Sequence, residues 1–249
     1  MHGRFSAVLA RAAMHVPCIR ASAPPCAGTV RAMTMPRERL GSWETAGTAT
    51  TDSHPFDPAA LRAHVPPGAR VLDHGCGRGG RVAALAALGY AAEGADGSRE
   101  LVEAGRRAHP GLPLTHCPEL PLPFEDGRYA AALLFGVLSR VPDDAGQRAV
   151  LGELARVVRP GGLLHLSDAP LQTDPRARAR YAAYEDEFGA YGVFRTEDGT
   201  VVRHHEPEHL RRLLRMHGFA VAEERTDAVG TLHGHPVRRV QLIARRETA

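Results

Sequence analysis

The 249-residue chain contains no lysine and no asparagine. Only 5% of its residues are aromatic, and it has four cysteines. With lysine absent, arginine alone carries the positive charge, and the net balance is a modest +3. That balance, without basic and aromatic residues interleaved, argues against a nucleic-acid surface. The cysteines, Cys18, Cys26, Cys76 and Cys117, lack the paired spacing of a zinc or disulfide framework. A reduced, cytoplasmic setting is therefore expected. No run of about eighteen apolar residues occurs, so no membrane span is expected. The missing lysine and asparagine fit a GC-rich coding sequence better than a binding role. Nothing in the composition fixes an oligomeric state.

Apolar residues make up 43%, enough for a sizeable core. The length suits one α/β domain, with or without a small cap. Residues 1–40 stand apart. From Met1 to Arg37 there are arginines but no acid, and Ala and Pro are frequent. Such a start suits a transit peptide. A signal peptide fits poorly, because Arg11 interrupts the apolar "FSAVLARAAM". The reading favoured here is a disordered tail, or a start upstream of the true one at Met33 or Met35. Residues 41–249 then form one domain.

The rest of the chain alternates. "FDPAALRAHV" reads as a short helix with Asp57 as N-cap and Pro58 at its first position. "ARVLDHG" is a buried strand, "GRVAALAALG" a helix closed by Gly89, and "YAAEGAD" the next strand. "SRELVEAGRRAH" is a helix capped by Ser98, followed by strands "LPLTHC" and "RYAAALLFGVL". "DDAGQRAVLGELARVV" is a helix and "GGLLHLSDA" a fifth strand. This alternation implies right-handed crossovers and a mostly parallel sheet. Then the character changes. "DPRARARYAAYEDEFGAYG" is a polar helix, and "VFRTEDGTVVRHH" a hairpin turning at Asp198-Gly199. "EPEHLRRLLRMHG" is a helix stopped by Gly218, and two strands close the chain.

The stretch "VLDHGCGRGG" holds Gly75, Gly77 and Gly80 in the pattern G-x-G-x-x-G. Alone it suits a dinucleotide, or merely a tight strand-to-helix turn. Three features add weight: Asp73 lies two residues before the first glycine, Gly79 extends the pattern, and Asp96 ends the next strand. An acid there meets ribose hydroxyls in nucleotide-binding βαβ units.

From about Val71 to Arg245 the sequence resembles a class I S-adenosylmethionine-dependent methyltransferase, of the small-molecule, methyltransferase-11-like type. The resemblance rests on "VLDHGCGRGG", "GADGSRELVEAGRR", "LPFEDGRYAAALLFGVLSRVP", "ELARVVRPGGLLHLSD" and the last two strands. It implies a Rossmann-like, seven-stranded, mostly parallel sheet with helices on both faces. An antiparallel pair would close the sheet, and a small insert at about 169–209 would act as a lid. It implies S-adenosyl-L-methionine as cofactor. Gly75 and Gly77 would admit the methionine part and ribose, with Cys76 a small filler between them. Asp73 would orient the loop, and Asp96 would accept from both ribose hydroxyls. Gly97 and Ser98 would border the adenine, and Phe135 and Gly136 the methionine portion. Members often carry an acid after the third strand for the adenine amino group; here Glu119 is the candidate. Many also begin the fourth strand with Phe-Asp, where this chain has Tyr129-Ala130.

The family's acceptor classes can be weighed by the residues after the fourth strand. Amino-methylating nucleic-acid enzymes carry an Asn- or Asp-Pro-Pro-aromatic motif there; this chain has "FGVLSR". Metal-dependent catechol methylation uses an Asp-Asn pair, and no asparagine is available, so no metal is expected. A small-molecule oxygen or nitrogen acceptor fits best, with specialised metabolism as a setting. A nicotinamide-dependent oxidoreductase and a non-catalytic cofactor-binding protein are the alternatives. The insert brings Tyr184, Tyr191, His204 and His205 toward Ser139, Arg140 and Asp168. Histidine titrates nearest neutral pH. His205 is therefore the first candidate for general base and His204 the second, with strand alternation aiming one of them inward. His205 and His209 also have a spacing that suits a metal on a helix, although Pro207 is expected to begin the helix between them. The "RARAR" run, Arg176 to Arg180, reads as a solvated helix face.

Overall fold

The computed structural model describes residues 54–230 and 236–248. The expected tail lies outside the described residues. The first elements in chain order are α1 (Pro58–Arg62), β1 (Arg70–His74), α2 (Gly80–Ala87), β2 (Ala91–Asp96), α3 (Arg99–Ala108), β3 (Leu114–His116) and β4 (Tyr129–Phe135). A 3-10 turn at Leu138–Arg140 precedes α4 (Asp144–Val157) and β5 (Val158–Asp168). Then come α5 (Pro175–Phe188), β6 (Val193–Arg195), β7 (Val201–Arg203), α6 (Pro207–Met216), β8 (Phe219–Gly230) and β9 (Pro236–Arg246).

Seven strands form one sheet in the order β3-β2-β1-β4-β5-β9-β8. The first five are parallel, and β9 runs antiparallel to both β5 and β8. This is the Rossmann-like sheet with a closing antiparallel pair that the sequence predicts. Strand order reverses between β1 and β4, and the crevice at the carboxyl ends there is where ligands bind in open α/β sheets.

Helix starts follow from local chemistry. The side chains of Asp57, Ser98, Asp143 and Asp174 each accept a backbone N–H in the first turn of the helix they precede. Each such cap stabilises by about 1 kcal/mol. Every residue of β4 is buried, because helices cover both faces of the sheet. Ala131, Leu133 and Phe135 pack with Leu61, Val82 and Val102 on one face. Ala132 and Leu134 pack with Leu151, Leu154 and Leu210 on the other.

Some boundaries differ from those expected; β4, for one, ends at Phe135 rather than Leu138. β5 starts at Val158, before the Arg-Pro-Gly-Gly turn rather than after it. Tyr129 pairs with Val158 and Ala131 with Leu163, so Arg159, Pro160 and Gly161 bulge outward, exposed, between two pairings. Pro160 has no N–H to give the ladder. The segment between β5 and α6 carries α5 and the β6–β7 hairpin around its own apolar cluster of Ala177, Tyr181 and Phe194. Its return is tied to β5 by His205 N–H donating to the Ala169 carbonyl and Leu171 N–H to the His205 carbonyl.

Candidate functional site

The glycine loop leaves β1 and is pinned to β2. The amides of Gly75 and Cys76 both donate to the Ala95 carbonyl, at 2.7 and 3.1 Å. Gly75 has φ +80°, and a Cβ there would overlap the Val137 side chain. Gly77 has φ +54°, but a Cβ there would meet nothing within 4 Å. The first glycine is thus required by packing, and the second faces open space where a ligand can approach the backbone.

Asp96 joins the two halves of this crevice. Its Oδ2 accepts from the Gly77 amide and its Oδ1 from the Ser98 amide, both at 2.8 Å. Burial pushes its pKa up, and the two amides oppose that shift. Each carboxylate oxygen keeps a further acceptor direction. Ser98 is buried and caps α3 by accepting from Leu101 N–H, while a Cβ at Gly97 would sit 3.8 Å from the Cys117 carbonyl. Asp73, fully buried, lies 3.3 Å from the Arg81 guanidinium. Arg81 also sits 4.5 Å over the Phe135 ring. The buried Cys76 thiol has its pKa pushed far up by burial, with the nearby Asp73 and Asp96 adding to the shift. It fills the loop and is no thiolate.

Other predicted residues separate. Glu119 is exposed on the loop after β3. His116, at the end of β3, instead lies beside the residues after β2, its Nε2 3.0 Å from the Gly97 carbonyl. At the end of β4, the Gly136 amide donates to the Ser167 carbonyl. The open side of Gly136 faces His54, whose Nε2 would be 2.7 Å from a Cβ built there. His54 Nδ1 lies 3.0 Å from Ser167 Oγ. Burial first, then Arg239, Arg81 and Arg140, pull its pKa down to about 3.

Of the two insert histidines, His205 is buried and His204 partly buried. Each meets a different partner from the insert or α4. His204 Nδ1 is 2.7 Å from Tyr181 Oη, and its ring meets Phe194 edge-on at 5.0 Å. Burial, Arg180 and Arg239 lower its pKa to about 3. His205 is 1% exposed and meets Gln147 Nε2 at 2.8 Å. Its Nδ1 lies 3.8 Å from the buried Asp168 carboxylate. Burial lowers the His205 pKa well below the ordinary value. The His205 and His209 rings stack at 5.7 Å, with Gln147 bridging them. Among the described residues no group of three metal-ligating side chains forms. Tyr184 packs with Phe188 and Tyr191 with Tyr181. The "RARAR" face is only partly solvated: Arg180 folds inward, its guanidinium 3.9 Å over the Phe194 ring.

Sequence reasoning missed His54, Arg81, His116 and Gln147. Arg81 had a local signal, since a cation in the first turn of a helix opposes the macrodipole and so calls for a nearby anion. His54 and Gln147 had none, because their partners are distant in sequence.

A parallel sheet with this strand order, a glycine loop after β1 and an acid ending β2 define a class I S-adenosylmethionine-dependent methyltransferase. The chain belongs to the family of the methyltransferase domain, whose model matches residues 54–224. It is 35% identical over 131 residues to a demethylmenaquinone methyltransferase of Clavibacter sepedonicus, covering 51% of this chain and 52% of the relative. It is 36% identical over 118 residues to one of Corynebacterium kroppenstedtii, covering 47% and 49%. The chain spans about half the length of these curated relatives. Among solved structures it resembles a SAM-dependent methyltransferase of Methanosarcina mazei, at TM-score 0.71 and 23% identity over 78% of this chain and 99% of that one. It also resembles a 1,6-didemethyltoxoflavin-N1-methyltransferase of Burkholderia thailandensis with bound 1,6-didemethyltoxoflavin and S-adenosylhomocysteine, at TM-score 0.61 and 21% identity over 85% and 86%. Among the described residues no helix is long and apolar enough to cross a membrane.

Proposed function

We propose that this methyltransferase moves a methyl group to an oxygen or nitrogen of a small-molecule acceptor in specialised metabolism. One observation carries the reading. The carboxyl ends of β1, β2 and β4 gather the glycine loop, Asp96 and Gly136 around one crevice, with the insert joined to β5 beside it. In this reading Asp96 uses its remaining acceptor directions for the ribose hydroxyls. The Asp73–Arg81 pair holds the loop. Gly97, Ser98 and His116 border the adenine, displacing Glu119 from that role. Phe135 and Gly136 flank the methionine portion. When bound, the cofactor supplies a methyl group on a sulfonium, ready for in-line displacement. The protein's part is then to hold donor and acceptor in line and exclude water. The names of the relatives support a small acceptor: one acts on demethylmenaquinone and another on 1,6-didemethyltoxoflavin at N1.

Calorimetry with S-adenosylmethionine and NAD tests the cofactor. Binding of the first and not the second is expected, and the reverse would sink the reading. A screen of hydroxylated and amino-bearing small molecules with methyl-labelled cofactor then tests the acceptor atom. Label appearing only on carbon or sulfur would overturn the oxygen-or-nitrogen assignment.

A further inference from the structure

A second cavity, of about 600 Å³, opens between the 3-10 turn after β4 and the insert hairpin. That volume suits one small organic molecule. Its apolar wall includes Phe188, Val193 and Val201, and three arginines, Arg140, Arg195 and Arg203, reach it. Two of these are already paired. Arg203 Nη1 is 2.5 Å from Asp144 Oδ1, and Arg195 Nη2 is 2.8 Å from Glu187 Oε1.

Arg140 differs. Among the described residues its half-buried guanidinium makes no hydrogen bond and no ion pair. Burial lowers its pKa, the charges of Asp198, Asp96 and Asp168 oppose that shift from a distance, and of the two aspartates that share the cavity wall Asp144 is paired with Arg203 and Asp143 caps α4. A guanidinium drawn out of water without an anion to meet costs free energy. Its place is also specific. It lines the second cavity, and it lies four residues after Gly136, to whose carbonyl the preceding Ser139 hydroxyl donates at 3.3 Å. It therefore stands where the cofactor crevice and the second cavity meet.

We propose that the cavity binds the methyl acceptor, and that the acceptor carries an oxyanion, a carboxylate or a phosphate, held by Arg140. The apolar body of the acceptor lies against Phe188, Val193 and Val201. The planar fork of arginine suits a two-oxygen anion, which lysine cannot match in geometry. This inference rests on the methyl-transfer reading, and it assigns the acceptor's chemical class.

The test titrates the protein with 4-hydroxybenzoate, its neutral methyl ester and phenyl phosphate, with and without S-adenosylhomocysteine. Both anions should bind roughly 10- to 100-fold more tightly than the ester, the range of a charge-assisted hydrogen bond. The tighter anion identifies carboxylate or phosphate as the natural group. Arg140→Gln should abolish the preference, and Arg140→Lys should keep only part of it. Equal affinity for ester and anions in the wild-type protein would overturn the proposal, whatever the variants do. So would an anion preference that survives in Arg140→Gln. Failure to bind S-adenosylhomocysteine would instead count against the cofactor reading, and the anion comparison would then be decided on the protein without it.

Discussion

The Asp96 carboxylate at the end of β2 accepts the Gly77 amide at 2.8 Å, so the acid proposed to meet the ribose also fixes the glycine loop. Asp96→Ala removes both roles at once and leaves the part-buried Gly77 amide and the buried Ser98 amide short of an acceptor. Asp96→Asn keeps one acceptor oxygen. The asparagine variant should therefore fold, yet lose roughly 1.5–3 kcal/mol of cofactor binding. Calorimetry and thermal melting of both variants separate the two effects. Wild-type cofactor affinity in Asp96→Asn would refute the ribose role.

The two loop glycines should respond differently to alanine. At Gly75 the added Cβ overlaps Val137, so Gly75→Ala should lower stability by roughly 1–3 kcal/mol. Val137→Ala in the same chain should recover part of that loss. At Gly77 the added Cβ meets open space, and the cost to folding is the smaller strain of a positive φ. Gly77→Ala should instead weaken the cofactor, measured by titration. A Gly77→Ala chain that melts lower than Gly75→Ala would reverse the assignment.

Stability should fall as the solution is acidified below neutrality. Burial holds His74 and His165 at about 4 and His204 at about 3 in the folded chain, against 6.5 for an ordinary histidine. Between pH 6.5 and those values the unfolded chain takes up protons that the folded chain does not. Each histidine then costs about 1.4 kcal/mol per pH unit. Asp168, raised by burial to about 6, works in the opposite direction. Its contribution is fully present below 3.8 and is lost as pH rises through 6. Asp96, also raised by burial, acts the same way, and the three histidines outweigh these two carboxyls, so Tm should drop from pH 7 to pH 5. A flat or rising Tm over that range would contradict the burial of these rings.

The insert histidines make a further distinction. His204 is bonded to Tyr181 and packed on Phe194, and His205 is bonded to Gln147 beneath the surface. Rings held this way, with pKa values below the ordinary one, organise the insert and are poor bases at neutral pH. His204→Ala and His205→Ala should each lower Tm, and turnover should fall less than tenfold once an acceptor is known. A loss on the order of 100-fold in turnover for His205→Ala, with cofactor affinity unchanged, would assign the base to His205.

The residues in chain order specify the local features of this protein. The strands and helices arise from periods of apolar residues, and the helix starts from Asp57, Ser98, Asp143 and Asp174. The glycine loop and the acid ending β2 were legible because their spacing is fixed within one βαβ unit. Packing settled which distant side chains meet. His54 reaches Ser167 across 113 residues, His205 meets Gln147 across 58, and Arg180 turns onto Phe194 rather than into solvent. Those contacts depend on strand register and on how the insert folds back against β5 and α4. Local pattern carries neither, because a side chain's partner is set by the packing of elements far apart in the chain. The sequence placed Arg140 at the end of the fourth strand, but only the assembled fold shows its guanidinium half-buried on the cavity wall with no anion bonded to it among the described residues.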